Sequence, residues 1–401
     1  MSARAIPSVH PFPARMAPEL ALNTLRALPS GSLVLDPMSG SGTVVRQATN
    51  LGHRAIGYDM DPLAVLMSRV WTTPVDDRLI LEVSDQILQD AKQTVSRDRY
   101  LPWIDDDPET AEFVNYWFGK KQQRALRSVA GALFDFQSRR FGKPKRAAAD
   151  VLRVALSRIV ITKEQGASLA RDTSHSRPHK VAQSSEYDVW DGLAKSLKQV
   201  RKRIQDMPPS EGATVSRGDA RSLHLLESGS IDAVLTSPPY LNAIDYMRGH
   251  RMSLVWLGYR MSELRLIRSS TIGAERAPDD PDAAHAFEDV RNAMCDVRAL
   301  PARFGAMIDR YCEDLYRMVS EVSRVMKSGG RATFVVGNSC LKGVFVSNAD
   351  GLAKAATMCG MSAIEAYERE LPMQSRYLPM TTSGSLGKRM RTESILVFGR
   401  S

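Results

Sequence analysis

Two short stretches of the sequence, residues 34–43 and 233–240, constrain the fold more than any other feature. Each is an apolar run that stops at a cluster of polar and turn-forming residues. This pattern is typical of a buried parallel strand that opens into a ligand-binding loop. Because open α/β sheets bind ligands where the carboxyl ends of their strands meet, we predict an α/β fold in which these two loops lie side by side.

The first stretch, VLDPMSGSGT, predicts a strand followed by a glycine-rich turn. Asp36 stands at the carboxyl end of the strand, while Gly40 and Gly42 allow a tight turn and a close approach to a ligand. The glycine spacing is that of neither a P-loop nor a dinucleotide-binding turn. An acid before the glycines would repel a pyrophosphate and attract a cation such as a sulfonium or an ammonium. Taken alone, the stretch is equally compatible with an ordinary strand-to-helix turn.

The second stretch ends in Ser237-Pro238-Pro239-Tyr240. The two prolines remove two backbone donors and stiffen the loop, and we expect their carbonyls to stay free as acceptors. A rigid acceptor beside a serine hydroxyl suits an exocyclic amino group, which has two hydrogens to donate. The tyrosine offers a flat face on which a base can stack. The alternative is a stiff loop with a core tyrosine, but the glycine-rich turn in the same chain favours the functional interpretation.

Together, the motifs at 36–43 and 237–240 resemble those of the amino-group DNA methyltransferases, which use S-adenosylmethionine to methylate cytosine N4 or adenine N6. The first is similar to the cofactor loop of that family, Asp-Pro-Phe-x-Gly-Ser-Gly-Thr, and the second to its catalytic loop. Serine at the head of the catalytic loop is typical of cytosine-N4 enzymes, whereas Asp or Asn is typical of adenine-N6 enzymes. The resemblance covers residues 5–71 and 213–401. It implies a Rossmann-like, seven-stranded class I methyltransferase sheet with S-adenosyl-L-methionine as the cofactor.

The resemblance also implies a set of cofactor-binding residues. Asp59, at the end of the second predicted strand, would accept hydrogen bonds from the ribose hydroxyls, and Asp219 would accept one from the adenine amino group. For Asp61, which precedes Pro62, a helix N-cap is favoured, and an N-cap is also the alternative for Asp219. The full set is Asp36, Pro37, Met38, Ser39, Gly40, Gly42, Thr43, Asp59, Met60, Asp219, Ala220 and Ser237, with His10 and Phe12 from a segment that would cover the methionine end. For His10 and Phe12, local packing is an equal alternative.

The chemistry implied by the resemblance is direct methyl transfer. A methyl group on a sulfonium is already activated, so the protein must hold the amine in line with it. The Ser237 hydroxyl and the Pro238 carbonyl would accept the amino hydrogens, and Tyr240 would stack on a base that has left the duplex. With Pro239, these residues are the predicted catalytic set. No cysteine lies in or beside this loop for a covalent route to ring carbon 5, and the reaction needs no metal.

Helical spacing dominates residues 72–212, which predicts a mainly helical insertion within a catalytic domain formed by residues 1–71 and 213–401. Between positions 97 and 203, 22 Lys and Arg outnumber 13 Asp and Glu, so this part alone carries the net charge of +9 of the whole chain. Such a concentration favours binding to nucleic acid, although a solvated surface is the better explanation for any single charge. The resemblance implies that this nucleic acid is double-stranded DNA. The residues predicted to bind DNA are Arg139, Arg140, Lys143, Lys145, Arg146, Arg171, Arg177 and Lys180.

Several local predictions complete the outline of the fold. Periodic apolar residues predict one continuous helix through residues 113–133, and Arg201-Lys202-Arg203 is expected to end a solvated helix. The mostly polar residues 260–305 predict a lid or a DNA-contacting loop. Residues 364–369 and 394–398 are predicted to form a final pair of strands.

The composition predicts a soluble cytoplasmic protein, and the resemblance implies a bacterial or archaeal type. Apolar residues make up 43% and charged residues 25% of the chain, and no apolar run approaches the length of a membrane span. The N-terminus lacks the apolar core of a signal peptide. The four cysteines are widely spaced, without a metal-ligand pattern, which favours reduced thiols.

Three alternatives to cytosine-N4 methylation of DNA remain open at this stage. Serine at position 237 does not exclude an adenine-N6 enzyme. The basic insertion does not distinguish DNA from RNA, so an RNA base methyltransferase is a third hypothesis. A nucleic-acid-binding protein with a degenerate site is a fourth, which the intact motifs disfavour. A cognate restriction endonuclease is a candidate partner beside the DNA itself.

Overall fold

The computed structural model describes residues 8–12, 16–95, 98–162, 164–171, 178–241, 245–274, 287–371 and 392–400. Its central element is a seven-stranded sheet with the strand order β6-β7-β5-β4-β1-β2-β3. The strands are β1 Leu33–Asp36, β2 Arg54–Asp59, β3 Ala213–Arg217, β4 Ile231–Thr236, β5 Met326–Val336, β6 Met361–Glu370 and β7 Thr392–Arg400. The predicted α/β fold and the predicted final pair of strands are confirmed.

The helices are α1 Pro18–Arg26, α2 Thr43–Asn50, α3 Pro62–Thr72, α4 Asp77–Thr94, α5 Pro102–Asp105, α6 Pro108–Trp117, α7 Lys120–Ser138, α8 Lys143–Val160, α9 Val189–Asp206, α10 Tyr246–Leu254, α11 Met261–Ser270, α12 Glu288–Met294, α13 Ala302–Val325 and α14 Asn348–Met358. Two short antiparallel pairs join Ala170–Arg171 to His179–Lys180 and Ser339–Leu341 to Val344–Val346. Within the described ranges, no helix is both long and apolar enough to cross a membrane.

The strand order puts the two motif-bearing loops next to each other. β1 is central and runs parallel to β2 on one side and to β4 on the other, with Leu35 opposite Val234. β3 and β5 extend the parallel arrangement outward, and β7 is antiparallel to both β5 and β6. The chain order along the sheet reverses between β1 and β4, which is the switch point where open α/β sheets bind ligands.

Apolar residues of the central strands alternate between two cores, one on each face of the sheet. Val34 and Leu235 pack in the core that includes Leu25 of α1. Leu35 and Val234 pack in the opposite core, beneath α13. Burial on both faces explains why these strands are almost continuously apolar and why polar residues begin only at their carboxyl ends.

The helices between β2 and β3 share one apolar core with helices on either side of them in the sequence. Residues of α4, α6, α7, α8 and α9 cluster with residues of α3, α10 and α11. Polar contacts also join this region to the segment at 246–270. Trp103 Nε1 of α5 donates to the Val255 carbonyl over 2.8 Å, and Met261 N–H of α11 donates to Thr110 Oγ1 of α6 over 2.9 Å. The predicted helical character is therefore present, and the proposed domain limits at 72 and 212 stay a prediction.

Two of the local predictions for this region are wrong. The helix expected across 113–133 is broken, because Phe118 is extended, with φ −132° and ψ 136°, and ends α6. The Phe118 ring packs edge-on against Trp256, with ring centroids 4.9 Å apart. Arg201 and Arg203 do not simply end a solvated helix: Arg201 donates to Asp77, and Arg203 donates to the Ser8 carbonyl.

Candidate active site

Asp36 and Thr236, the last residues of β1 and β4, are joined by a hydrogen bond. The Thr236 hydroxyl donates to Asp36 Oδ1 over 2.8 Å, and Met38 N–H donates to the same oxygen over 3.3 Å. Burial raises the pKa of the Asp36 carboxyl to about 7, although both hydrogen bonds act to lower it. The structure thus brings the two loops together and leaves between them a buried acid whose charge is easily lost.

The glycine-rich turn needs glycine at two positions for different reasons. Gly42 has φ +89°, and a Cβ there would lie 2.3 Å from the hydroxyl oxygen of Ser68 on α3. Gly40 has φ +49°, and a Cβ there would lie 3.2 Å from the ring of Phe12. The turn is therefore pressed between α3 and the N-terminal segment, without room for a side chain.

Two hydroxyls in this turn are buried without a partner. Ser39 Oγ and Ser41 Oγ make no hydrogen bond to the described part of the chain, although hydroxyls removed from water normally find one. Of the neighbouring residues, Pro37 and Thr43 are buried and Met38 is half-buried. The turn therefore presents unused donors next to an acid, which suits a ligand that carries both an anionic and a cationic group.

Asp59, at the end of β2, is held by two backbone donors. Its Oδ2 accepts from Gly40 N–H over 2.8 Å, and its Oδ1 accepts from Asp61 N–H over 2.9 Å. Burial and the neighbouring Asp61 charge raise the pKa of Asp59 to about 6. Each oxygen keeps a lone pair for a further donor, and the side chain stays partly open to solvent. Met60, which follows, is half-buried with its sulfur 3.9 Å from Arg221 Nη2.

Asp61 caps α3, as predicted, and also makes a contact that the sequence analysis missed. Its Oδ1 accepts from Leu63 N–H over 2.8 Å, while Oδ2 bonds to Nδ1 of His250 on α10. Burial alone would raise the pKa of Asp61, but the charge and hydrogen bond of His250 hold it below its ordinary value. This pair fastens α10, which follows the catalytic loop in sequence, to the end of β2.

Phe12 lies over the glycine-rich turn and joins it to α10. Its ring stacks on Tyr246 with centroids 5.1 Å apart and planes 14° apart, and it lies 5.7 Å from the ring of His250. The same ring covers Gly40. The N-terminal segment is therefore placed above the turn, where the resemblance put it, while its contact with a cofactor stays a prediction.

Arginines of the helical insertion hold that segment in place. Arg158 Nη1 donates to the Val9 carbonyl over 2.5 Å, and Arg203 donates to the Ser8 carbonyl. Burial lowers the pKa of Arg158 to about 10, and the neighbouring Arg203 charge adds to the effect. His10 is half-buried in the same segment. The insertion thus positions the residues over the turn, a role that the count of its charges did not indicate.

Asp219, the predicted adenine ligand, is engaged by Arg221. Its Oδ1 accepts from Arg221 N–H over 2.9 Å and from Nε over 3.0 Å, and Oδ2 accepts from Nη2 over 2.7 Å. Burial alone would raise the pKa of Asp219, but these bonds lower it. The N-cap alternative is wrong, because a turn and not a helix follows Asp219, with Ser222 N–H donating to the Asp219 carbonyl over 2.9 Å. Ala220, between them, is buried.

The catalytic loop is fixed from below by α13. The hydroxyl of Tyr311, a buried residue of α13, donates to the Pro239 carbonyl over 2.9 Å. The expectation that both proline carbonyls stay free is therefore wrong for Pro239. At the end of the loop, Ser339 Oγ donates to the Leu241 carbonyl over 2.7 Å. Neither Tyr311 nor Ser339 stands in a recognisable motif, since only helical or strand periodicity marks their surroundings.

Tyr240 supports the serine of the same loop. Its hydroxyl hydrogen-bonds to the Ser237 side chain and to the backbone of Gly337, and burial raises the pKa of the tyrosine well above its usual range. The ring packs against the core beneath α13. Pro238 is buried, while Ser237 stays half-buried at the head of the loop. The structure therefore positions Ser237 firmly, whereas stacking of Tyr240 on a base stays a prediction.

Among the described residues, the basic loop at 139–146 makes none of the site contacts given above. It leads into α8, whose Asp150 pairs with Arg69 of α3 at 3.6 Å. Arg69 lies seven residues beyond the start of α3 at Pro62, about 10 Å along the helix from the end that Asp61 caps. All five predicted residues of this loop, Arg139, Arg140, Lys143, Lys145 and Arg146, are at least partly exposed.

The other residues predicted to bind DNA lie outside this loop. Lys180 Nζ lies 4.5 Å above the ring of Tyr116, and Arg171 donates to the Glu164 carbonyl. Arg177 lies outside the described residues. The DNA-binding role of all these residues stays a prediction.

Comparison with known proteins yields distant similarity to methyltransferases. No family model matches the chain. The type II methyltransferase M.MvaI of Kocuria varians is 20% identical over 427 residues, which cover 97% of this chain and 89% of that protein. The type II methyltransferase M.BsoBI of Geobacillus stearothermophilus is 22% identical over 291 residues, covering 63% of this chain and 53% of that protein, about half its length.

Similarity to solved structures is weaker. A TehB-like SAM-dependent methyltransferase from Corynebacterium glutamicum aligns over 96% of this chain and 89% of its own, with 10% identity and a TM-score of 0.32. The sequence similarity is therefore the more informative of the two comparisons. Over almost its whole length, the chain is similar to a type II methyltransferase.

Proposed function

We propose that the protein is an S-adenosylmethionine-dependent DNA methyltransferase and that it methylates the N4 amino group of cytosine. The observation that carries the proposal is the hydrogen bond of 2.8 Å between Thr236 and Asp36. It couples the strand that delivers Ser237 to the strand that ends in the glycine-rich turn. A methyl donor in that turn would then lie beside an amino group held at Ser237.

The residues around the glycine-rich turn fit S-adenosylmethionine. Asp36 and Asp59 are crowded carboxylates with raised pKa values, and a sulfonium, an ammonium or ribose hydroxyls would stabilise their charged forms. The unpartnered hydroxyls of Ser39 and Ser41 suit a carboxylate acceptor. When bound, the cofactor supplies a methyl group that its positive sulfur has already activated.

Ser237 and Pro238 are the acceptors for the amino group. Each amino hydrogen that an acceptor holds draws electron density back to the nitrogen, whose lone pair is otherwise delocalised into the base. The Tyr240 hydroxyl orients Ser237, and the Tyr311 hydroxyl fixes the backbone one peptide away at Pro239. The base must leave the duplex to reach this loop. Ser237 is a weak base, so the proton leaves to solvent after transfer.

DNA is the favoured substrate for two reasons. Similarity to M.MvaI, a type II methyltransferase, extends over 97% of this chain. The excess of positive charge between positions 97 and 203 suits a polyanion. Serine at position 237 is the feature that favours cytosine N4 over adenine N6.

Incubation of the protein with labelled S-adenosylmethionine and duplex DNA, followed by digestion and mass spectrometry of the nucleosides, tests the proposal. We expect N4-methylcytosine. Detection of N6-methyladenine would change the proposed target base to adenine. In a parallel incubation with RNA, label in RNA but not in DNA would overturn the proposal that DNA is the substrate.

The variant Ser237→Ala tests the site itself. Removing one acceptor from the transition state should lower kcat by about 10²–10³-fold. Affinity for S-adenosylmethionine, measured by calorimetry, should stay near the wild-type value, because the serine contacts the base. A large loss of cofactor affinity with an unchanged kcat would show that Ser237 belongs to the cofactor site.

A further inference from the structure

Resting on the proposed function, we propose that a surface strip beside the catalytic loop binds the phosphate backbone of the DNA that carries the target base. The strip runs from α10 and α11 to α6 and the short pair that contains Lys180. Its members are cations and aromatic side chains: Arg248, Arg251, Arg268, Phe113, Tyr116 and Lys180.

The near end of the strip adjoins the catalytic loop. α11 ends at Ser270, and three residues later a Cβ at Gly273 would lie 3.4 Å from the Tyr240 carbonyl. Arg268, on the last turn of α11, donates to Asp245 over 2.6 Å. Asp245 stands just before α10, five positions after Tyr240. A phosphate held at this end would therefore lie beside the loop that receives the base.

Three arginines crowd this end around a single carboxylate. Arg248 and Arg268 both pair with Asp245, at 3.3 Å and 2.6 Å. Burial lowers the pKa of Arg251, and the charges of Arg268 and Arg248 lower it further. Arg251 Nε is buried and makes no hydrogen bond to any described residue. A cluster whose cations repel one another and whose donors are not all used is stabilised by an added anion.

From Arg251 to the far end of the strip, cations alternate with aromatic rings. The Arg251 guanidinium lies 5.3 Å above the ring of Phe113, and Lys180 lies 4.5 Å above the ring of Tyr116. Trp117 joins the two rings, with its centroid 6.3 Å from Phe113 and 4.9 Å from Tyr116. Tyr116 is 52% exposed although it is a large aromatic residue. Phe113 and Trp117 are half-buried, so Tyr116 is the ring available for stacking. Aromatic rings beside cations are typical of surfaces that follow a nucleic-acid strand.

The charge of the strip selects a polyanion over a protein or a membrane. Its four cations, Arg248, Arg251, Arg268 and Lys180, face two acids, Asp245 and Glu112, the latter one helical turn before Tyr116 on α6. The adjacent Arg265 pairs with Glu109 and adds no net charge. The strip therefore keeps a positive excess next to the catalytic loop.

Binding of a fluorescent DNA duplex, measured by anisotropy at several salt concentrations, tests the strip. The double variant Arg248→Gln with Arg268→Gln removes two charges at the near end, and Lys180→Gln removes one at the far end without touching Asp245. The matched control, Lys198→Gln with Lys202→Gln, removes two exposed charges from α9. Calorimetry with S-adenosylmethionine and thermal unfolding verify that each variant is folded.

We expect each lost phosphate contact to weaken DNA binding about tenfold in ~0.1 M salt and to reduce the slope of log K against log salt by about 0.9. The control should keep the wild-type slope. If both strip variants keep the wild-type slope while the wild-type protein methylates DNA, the strip is overturned and the proposed function stands. A wild-type protein that binds the duplex through the strip but transfers no methyl group would overturn the proposed function alone.

Discussion

The acids near the carboxyl edge of the sheet form two groups that differ in their cation partners, although burial also raises the pKa of Asp314 in the second group. Asp36 and Asp59 have no Lys or Arg partner among the described residues, and burial raises their pKa values to about 7 and about 6. Asp219 and Asp314 instead share Arg221, which donates to Asp219 over 2.7 Å and to Asp314 over 2.5 Å. The first group lies at the ends of β1 and β2, and the second lies between the end of β3 and α13.

We propose that the first group belongs to the cofactor site and that the second supports the fold. Crowded carboxylates without a cation destabilise the folded state when they are charged, so they are found where a ligand supplies the positive charge. Carboxylates already paired with a buried guanidinium have little left to offer a ligand. We therefore expect substitutions in the two groups to affect different measurements.

Arg221→Ala should have the largest effect, and it should act on stability. It leaves the buried carboxylate of Asp314 with only Arg310, whose Nε lies 3.3 Å from Oδ1, and loss of one member of such a buried network costs up to about 3–5 kcal/mol. The free energy of unfolding from urea titration measures this loss. Arg298→Ala is the control, because Arg298 is 92% exposed and its pair with Asp296 is solvated, so its effect should stay within about 0.5 kcal/mol. A loss below about 1 kcal/mol for Arg221→Ala would show that the cluster does not support the fold.

Asp36→Asn should act on the cofactor and not on the fold. We expect affinity for S-adenosylmethionine to fall roughly 10–100-fold, since a charge partner at close range is lost. In the wild type, this affinity should rise from about pH 6 to pH 8, because the carboxyl with a pKa of about 7 must lose its proton before it attracts a cation. Calorimetry at several pH values measures both effects. A pH-independent affinity in the wild type would remove Asp36 from the cofactor site.

The same variant gives a stability test of opposite sign to that of Arg221→Ala. The pKa of Asp36 in the folded protein exceeds its ordinary value of 3.8, so the folded state binds the extra proton, and the ligand-free wild type loses stability as pH rises from about 4 to 7. Asn carries no charge and avoids this loss. Above pH 7 we therefore expect ligand-free Asp36→Asn to be the more stable protein, by up to about 4 kcal/mol, since the pKa rises from 3.8 to about 7. Equal stabilities at pH 8 would contradict the raised pKa.

Features that depend on neighbours in sequence could be predicted, and features that depend on distant pairs could not. The turn after Asp36, the loop at 237–240 and the N-cap at Asp61 follow from local patterns of glycine, proline and apolar residues. The contacts Asp61–His250 and Arg221–Asp314 join residues 189 and 93 positions apart. The distant partners, His250 and Asp314, lie in helices. There, periodicity indicates burial but does not identify the polar group that each side chain contacts.

The helical insertion shows the same limit in another way. Its overall helicity and its charge are properties of composition, and both could be counted. At its break, Phe118 packs against the ring of Trp256, which lies more than a hundred residues away in the sequence. Its placement of the segment at 8–12 depends on Arg158 and Arg203, which the count of charges could only treat as surface. Tertiary packing, which the periodicity does not encode, decided these features.

The variants Asp59→Asn and Asp219→Asn have the smallest expected effects, and they compare one acid from each group. By resemblance both acids contact the cofactor, but Asp59 has lone pairs open to solvent, whereas both oxygens of Asp219 are engaged by Arg221. We expect Asp59→Asn to weaken S-adenosylmethionine binding about tenfold, the loss of roughly one charge-assisted hydrogen bond, and Asp219→Asn to weaken it less than about threefold. Asp219→Asn should instead lower the thermal midpoint, because Arg221 loses a charged partner. If the two variants lost cofactor affinity equally while keeping wild-type midpoints, Arg221 would have to release Asp219 when the cofactor binds, and the division into two groups of acids would hold only for the ligand-free protein.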